Sequence, residues 1–135
     1  ILIYPEPRTG LEAKFSLQYC VAIAWLAGWP GLDAFSDARA TAADVQALLR
    51  RVRVRSTRSA DEEVELIFSD GTRASESVRI ARGHPRNPLS DAQREAKLAL
   101  CLEPALGVQR ARALVAAFAS LESLRDVRDL AGRIA

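Results

Sequence analysis

The sequence predicts an α+β protein, a two-layer domain in which helices pack on one face of an antiparallel sheet of at least three strands. Three observations predict it. An apolar run at helical spacing stands near the amino end, strict alternation replaces that period at residue 51, and the turn dipeptide Asp70-Gly71 separates two extended runs.

Two proline-punctuated segments, YPEPRTG and GWPGLDAF, flank the first helix and set its end near Ala27 and Gly28. Its start has two readings. Thr9 and Glu12 fit a capping box, and Ser16 equally caps a helix beginning at Leu17. Thr41 to Asp44 has the form of a second helix start, and VQALLRRV continues it through Val45, Leu48 and Leu49 to about Arg50. RVRVRST then places Val52 and Val54 on one face and Arg51, Arg53 and Arg55 on the other, the pattern of a half-buried strand ending near Thr57. In EVELIFSDGTRASESVRIA, Val64, Leu66 and Phe68 point one way. Across a tight Asp70-Gly71 turn, Val78 and Ile80 face the same core. After RGHPRNPLS, Ser90 and Gln93 open an amphipathic helix that runs to about Glu103, where Pro104 and Gly107 interrupt it. VQRARALVAAFASL reads as a further helix and DVRDLAGRIA as a short terminal one.

Composition bounds the class. A chain of 135 residues with 49% hydrophobic and 27% charged side chains is sized for one domain with one core. Its net charge of +2 makes no whole-protein case for nucleic acid or a membrane surface. Lys14 and Lys97 are the only lysines among the 19 basic residues, a skew toward arginine that reads as genome composition before function. Arg51, Arg53 and Arg55 form either a phosphate-binding stripe or the wet face of a sheet. With no aromatic residues between them to stack on bases, and with Asp61, Glu62, Glu63 and Glu65 close behind, the wet face is the simpler reading. Cys20 and Cys101 lie in apolar helical patterns, and two cysteines with one histidine fall short of a structural zinc ligand set. With no cleavage signal and no apolar run of spanning length, the expected location is cytoplasmic. The opening ILIYPEPRTG, without a methionine, reads as the end of a strand trimmed from a longer protein.

Several of these segments carry a resemblance. PRTGLEAKFSLQYCVAIAWLAG, VQALLRRVRV, RGHPRNPLSDAQREAKL and LESLRDVRDL, in this order, resemble the C-terminal domain of the MmgE/PrpD family. The most specific pieces are the EAKFSLQY block and the G-x-P-x-N-P-L-S loop. The family includes 2-methylcitrate dehydratases, cis-aconitate decarboxylases and iminodisuccinate epimerases. The resemblance implies a parent with an N-terminal helical domain that holds most of the acid/base residues, and a smaller α+β domain that closes the cleft. It also implies a small polycarboxylate substrate, proton removal next to a carboxylate, and no metal or organic cofactor; a homodimer is expected on a different ground, since a sheet that lacks an edge strand can pair with itself. On that reading this chain is one wall of an interdomain active site and is inactive or nearly so alone; the alternative is a non-catalytic dimerisation or anion-binding module.

The resemblance also directs attention to the polar head of the first helix. Many family members have proline at the position of Gln18, which suits a helix's first turn and favours Ser16 as the cap, with GLEAKF as extended lead-in. The amides of Leu17, Gln18 and Tyr19 would then face a carboxylate at a favourable dipole end. Tyr19 matches a tyrosine placed at the active site in the decarboxylase branch, and is the expected catalytic residue; its spacing with Phe15, Ile23 and Leu26 equally fits a core aromatic. Lys14, Ser16 and Arg82 are the expected substrate-binding residues, Ser16 as a cap first, and Arg86 is a second loop arginine that could approach an anion. His84, the single histidine, is expected to serve its loop rather than act as a general base.

Overall fold

The structure, a computed structural model, describes residues 2–56 and 61–132. It is α+β, with helices and a two-stranded antiparallel sheet. The chain divides into two compact units, one made of Ile1–Arg55 with Lys97–Ala135 and the other of Ser56–Ala96.

In the first unit the two candidate helix starts are both real. Thr9 caps α1 (Gly10–Ala13) by accepting from the Glu12 amide at 3.2 Å, while the Glu12 carboxylate accepts from the Arg8 amide at 2.7 Å. Ser16 caps α2 (Leu17–Ala27) by accepting from the Tyr19 amide at 3.1 Å. The expectation of an extended GLEAKF is therefore corrected. Each polar residue satisfies its own helix end, and the chain turns a corner between them. A 3-10 turn (Leu32–Phe35) leads to α3 (Asp37–Ala40), capped by Ser36, and then to α4 (Ala43–Leu49). Thr41 does not start α4, because its hydroxyl donates back to the Asp37 carbonyl at 2.9 Å and so finishes α3.

The core of these elements is Ala13, Tyr19, Ala22, Ile23, Ala34, Ala40, Val45 and Leu49, with Phe35, Ala42 and Leu48 packed against it. Small side chains let the short helices approach closely, and α2 packs on α4. The tightest approach is at Gly10, where an added Cβ would lie 1.8 Å from the Phe35 carbonyl oxygen. No side chain fits there. A second cluster, Leu114, Ala117 and Leu130, gathers Leu102, Leu106 and Leu124. It is built from α5 (Asp91–Ala119), which breaks at Gly107 (φ 73°), and from α6 (Arg128–Ala131). The interruption expected at Pro104 and Gly107 thus falls at the glycine, and Pro104 is accommodated inside the helix. Among the described residues no helix is long and apolar enough to cross a membrane.

The second unit is built on a hairpin of β1 (Glu62–Ile67) and β2 (Arg73–Val78), with Glu62 opposite Val78 and Ile67 opposite Arg73. This register puts Val64, Leu66, Ala74 and Val78 on one face, as the alternation required. That face is not a core here, since Val64 is 44% and Val78 47% exposed. The turn also differs from a two-residue one. Phe68 donates to the Thr72 carbonyl at 2.9 Å and Gly71 to the Phe68 carbonyl at 3.0 Å, so a three-residue loop closes the hairpin with positive φ at Gly71 alone. Asp70 serves the turn through its carboxylate, which accepts from the Thr72 amide at 2.9 Å and its hydroxyl at 2.6 Å.

The expected third strand is not seen among the described residues. The amides of Arg51 and Val52 donate to the carbonyls of Leu48 and Leu49, at 2.9 and 3.0 Å, so helical hydrogen bonding runs past the point where alternation begins. Residues 53–56 carry no ladder, and the strand's expected end at Thr57 lies outside the described residues. Ser90 and Gln93 do form the expected capping box, the Ser90 amide donating to the Gln93 side chain at 3.0 Å and the Gln93 amide to the Ser90 hydroxyl at 3.3 Å.

Candidate functional site

The candidate site is the corner between α1 and α2. Lys14 is exposed, the C-cap of α1, and its amide donates to the Gly10 carbonyl at 3.3 Å. Two residues on, Ser16 is fully buried and its amide donates to the Ala13 carbonyl at 3.2 Å. The Ser16 hydroxyl is engaged as the cap of α2, which takes up the Tyr19 amide. Of the three amides expected to face a ligand, those of Leu17 and Gln18 remain. They stand at the positive end of an eleven-residue helix, a position that attracts a carboxylate, and Lys14, three residues before Leu17 in the chain, is exposed.

Tyr19 has no accessible surface. Its hydroxyl donates to the Ala34 carbonyl in a short hydrogen bond, and its ring leans on Phe35 with centroids 5.8 Å apart. Burial pushes its ionisation above the ordinary phenol value, with Arg39 pulling the other way, so the phenol remains protonated and a donor. As placed, Tyr19 is a core residue that ties the entrance of α2 to residue 34. Sequence spacing already contained that alternative.

Arg82 is exposed and belongs to the other unit, in the loop between β2 and α5. That loop is pinned by its own groups. Gly83 donates to the Asn87 carbonyl and Asn87 to the His84 carbonyl, both at 2.8 Å, and the Asn87 side chain donates to the Ile80 carbonyl at 3.0 Å. His84 takes part through Nδ1, which accepts from the Arg86 amide at 3.1 Å. The imidazole is thus an internal acceptor of the turn.

Three groups that organise the corner were not singled out in the sequence. Asp37 accepts from the Gly10 amide at 2.7 Å across 27 positions of chain. Gln46 donates to the carbonyls of Ala40 at 2.7 Å and Pro7 at 3.4 Å, holding the lead-in segment to α3. Gly10 provides the space in which residues 35–37 pass. The Thr9-Gly10 and Ser36-Asp37 pairs are helix-start signals, but their mutual contact is long-range and has no local pattern. A shallow depression of about 160 Å³ lies beside Glu6, Pro7, Arg8, Thr41 and Gln46, and none of the expected site residues line it. It is small for a polycarboxylate. Among the described residues no group of His, Cys, Asp or Glu is arranged to hold a metal ion.

The fold and the corner thus define an α+β protein whose most distinctive polar feature is a helix entrance. Residues 1–123 match the MmgE/PrpD C-terminal domain, and the chain belongs to that family. No curated protein matches it.

Proposed function

We propose that the chain is the C-terminal domain of a cofactor-independent lyase or isomerase acting on small di- or tricarboxylates, in the manner of a 2-methylcitrate dehydratase, and that it contributes one wall of an interdomain active site. The observation that carries this reading is the family match over residues 1–123. The corner supports it: a carboxylate docked at the amides of Leu17 and Gln18, with Lys14 as counter-charge, would be held while a neighbouring C–H is deprotonated by a base from the helical domain. Arg82, which belongs to the other unit, is proposed on its own as an anion contact. The parent would be a cytoplasmic homodimer.

Tyr19 has two possible parts in it. As placed, the phenol supports the wall from behind by holding residue 34. A direct contact with substrate requires the Ala34 carbonyl to release it, and the hydroxyl is then free to hydrogen-bond a carboxylate. Turnover of 2-methylcitrate, cis-aconitate and iminodisuccinate by the purified chain tests the reading. Rates at background agree with one wall of a divided site, and near-enzyme rates on the chain alone overturn it.

A second reading, a dimerisation module, is favoured by one observation. No residue of α2 is charged, yet Leu17, Trp25 and Leu26 are exposed, as are Val64, Phe68 and Val78 on the hairpin. Sedimentation of the chain measures this directly.

A further inference from the structure

We propose that the outer edge of β1 is a strand-addition site, and that its occupant is residues 53–56 of a second copy of this chain; this deepens the dimerisation reading and rests on it. Two unmet demands carry the inference. Residues 53–56 alternate arginine and valine as a strand does, yet among the described residues they carry no ladder, and Arg53, Val54 and Arg55 are exposed, Val54 by 51%. Helical bonding of the Arg51 and Val52 amides to Leu48 and Leu49 keeps the free stretch from starting earlier. The hairpin has the opposite need. β1 pairs with β2 alone among the described strands, so its other edge is open, and a two-stranded sheet is marginal without a further partner.

Charge selects the occupant. Residues 50–55 hold four arginines and no acid, whereas residues 61–79 hold six acidic and two basic side chains. Arg73 pairs with Glu65 at 2.8 Å and Arg79 with Asp61 at 3.7 Å, and among the described residues Glu62, Glu63 and Glu76 have no ion pair. Both runs have period two, so an in-phase pairing sets Val54 beside Val64 on one face, and Arg53 and Arg55 beside Glu63 and Glu65 on the other. Arg53 donates through Nη1 to the Arg50 carbonyl at 2.9 Å, which engages one of its five donors and leaves its charge available. The edge of β2 offers no such match, because Arg73, Ser75 and Ser77 stand on the face where Glu63 and Glu65 stand on β1. The interface is self-complementary under a two-fold axis. Each copy gives its 53–56 segment to the partner's β1 and receives the partner's segment on its own.

A charge swap read by sedimentation equilibrium tests this, with a thermal melt of each variant. The wild-type chain is expected to form a dimer that weakens as salt rises. Arg53→Glu with Arg55→Glu, and separately Glu63→Arg with Glu65→Arg, put like charges across both interfaces, and each variant alone is expected to dimerise at least about tenfold more weakly. Mixed in equal amounts, the two variants are expected to recover the wild-type dimer, since both interfaces of the mixed pair again join opposite charges. Glu65→Arg also sets an arginine against Arg73; should that variant fail to fold, Glu63→Arg alone takes its place in the mixture and is expected to give the same recovery. Wild-type dimerisation by each variant on its own, or a mixture of folded variants that stays monomeric, overturns the strand site and leaves dimerisation through another face standing. A wild-type chain that is monomeric at every concentration overturns the dimerisation reading itself, and the strand site with it.

Discussion

Ser16 and Tyr19 share one turn of α2, and neither side chain reaches solvent. Their stability effects should therefore exceed those of Lys14. Ser16→Ala removes the α2 cap and should cost about 1 kcal/mol, read from the urea midpoint at unchanged slope. Tyr19→Phe orphans the buried Ala34 carbonyl and should cost about 1–2 kcal/mol by the same measurement. A substrate role for the phenol would add a loss of affinity for tricarballylate, a non-reacting tricarboxylate, to that cost; a purely structural role leaves affinity as it is. The two cysteines differ in kind. Cys101 is exposed and free, whereas Cys20 is half-buried on α2, and burial pushes its thiol up. Ellman's reagent at pH 8 should label Cys101 quickly and Cys20 only as the chain opens. Both cysteines lie in helices, as their apolar patterns suggested, but only Cys20 is partly covered. Periodicity marks a helix face as apolar but does not reveal whether anything covers it.

At the scale of elements, the local signals were the legible ones. Capping residues bond within three or four positions, so Ser16 and Ser90 could be read directly, and Thr9 as one of two alternatives, as could the helix end at Gly28 and the place of the hairpin turn, though not its length. Competition between neighbours was less legible: alternation from residue 51 suggested a strand, but the carbonyls at the end of α4 had first claim on the amides of Arg51 and Val52. Elements of this size also depend on side-chain partners that titrate. Hydrogen bonds from the Arg39 side chain, from Thr72 and from the Arg128 side chain hold the carboxyls of Asp44, Asp70 and Asp126 below the ordinary range. A depressed folded value means that the contribution to stability is present above the unfolded value and is lost as pH falls through the folded one. The melt should therefore be flat above the ordinary carboxylate range and decline below it. Asp70→Ala should flatten that decline measurably; an unchanged profile would remove the turn carboxylate from the account. All three pairs are exposed, so the effects are modest and screened by salt.

For the molecule as a whole, family membership was legible because it rests on ordered motifs, EAKFSLQY and GHPRNPLS, and not on packing. The contact that shapes the corner was not, because Asp37 meets Gly10 across 27 positions and neither residue carries a signal for the other. Apolar faces on α2 and on the hairpin remain exposed within their own units, which makes concentration-dependent sedimentation the expected behaviour of the isolated chain. A single concentration-independent monomer species would count against self-association. The central claim is that the entrance of α2 receives a carboxylate, and amide NMR tests it most directly. In a titration of the uniformly ¹⁵N-labelled chain with tricarballylate, the account predicts that the amides of Leu17 and Gln18 shift first and saturably, that Lys14→Ala weakens the effect, and that Tyr19, whose amide is already capped, moves least. Shifts confined to other parts of the chain, or none at all, would contradict it.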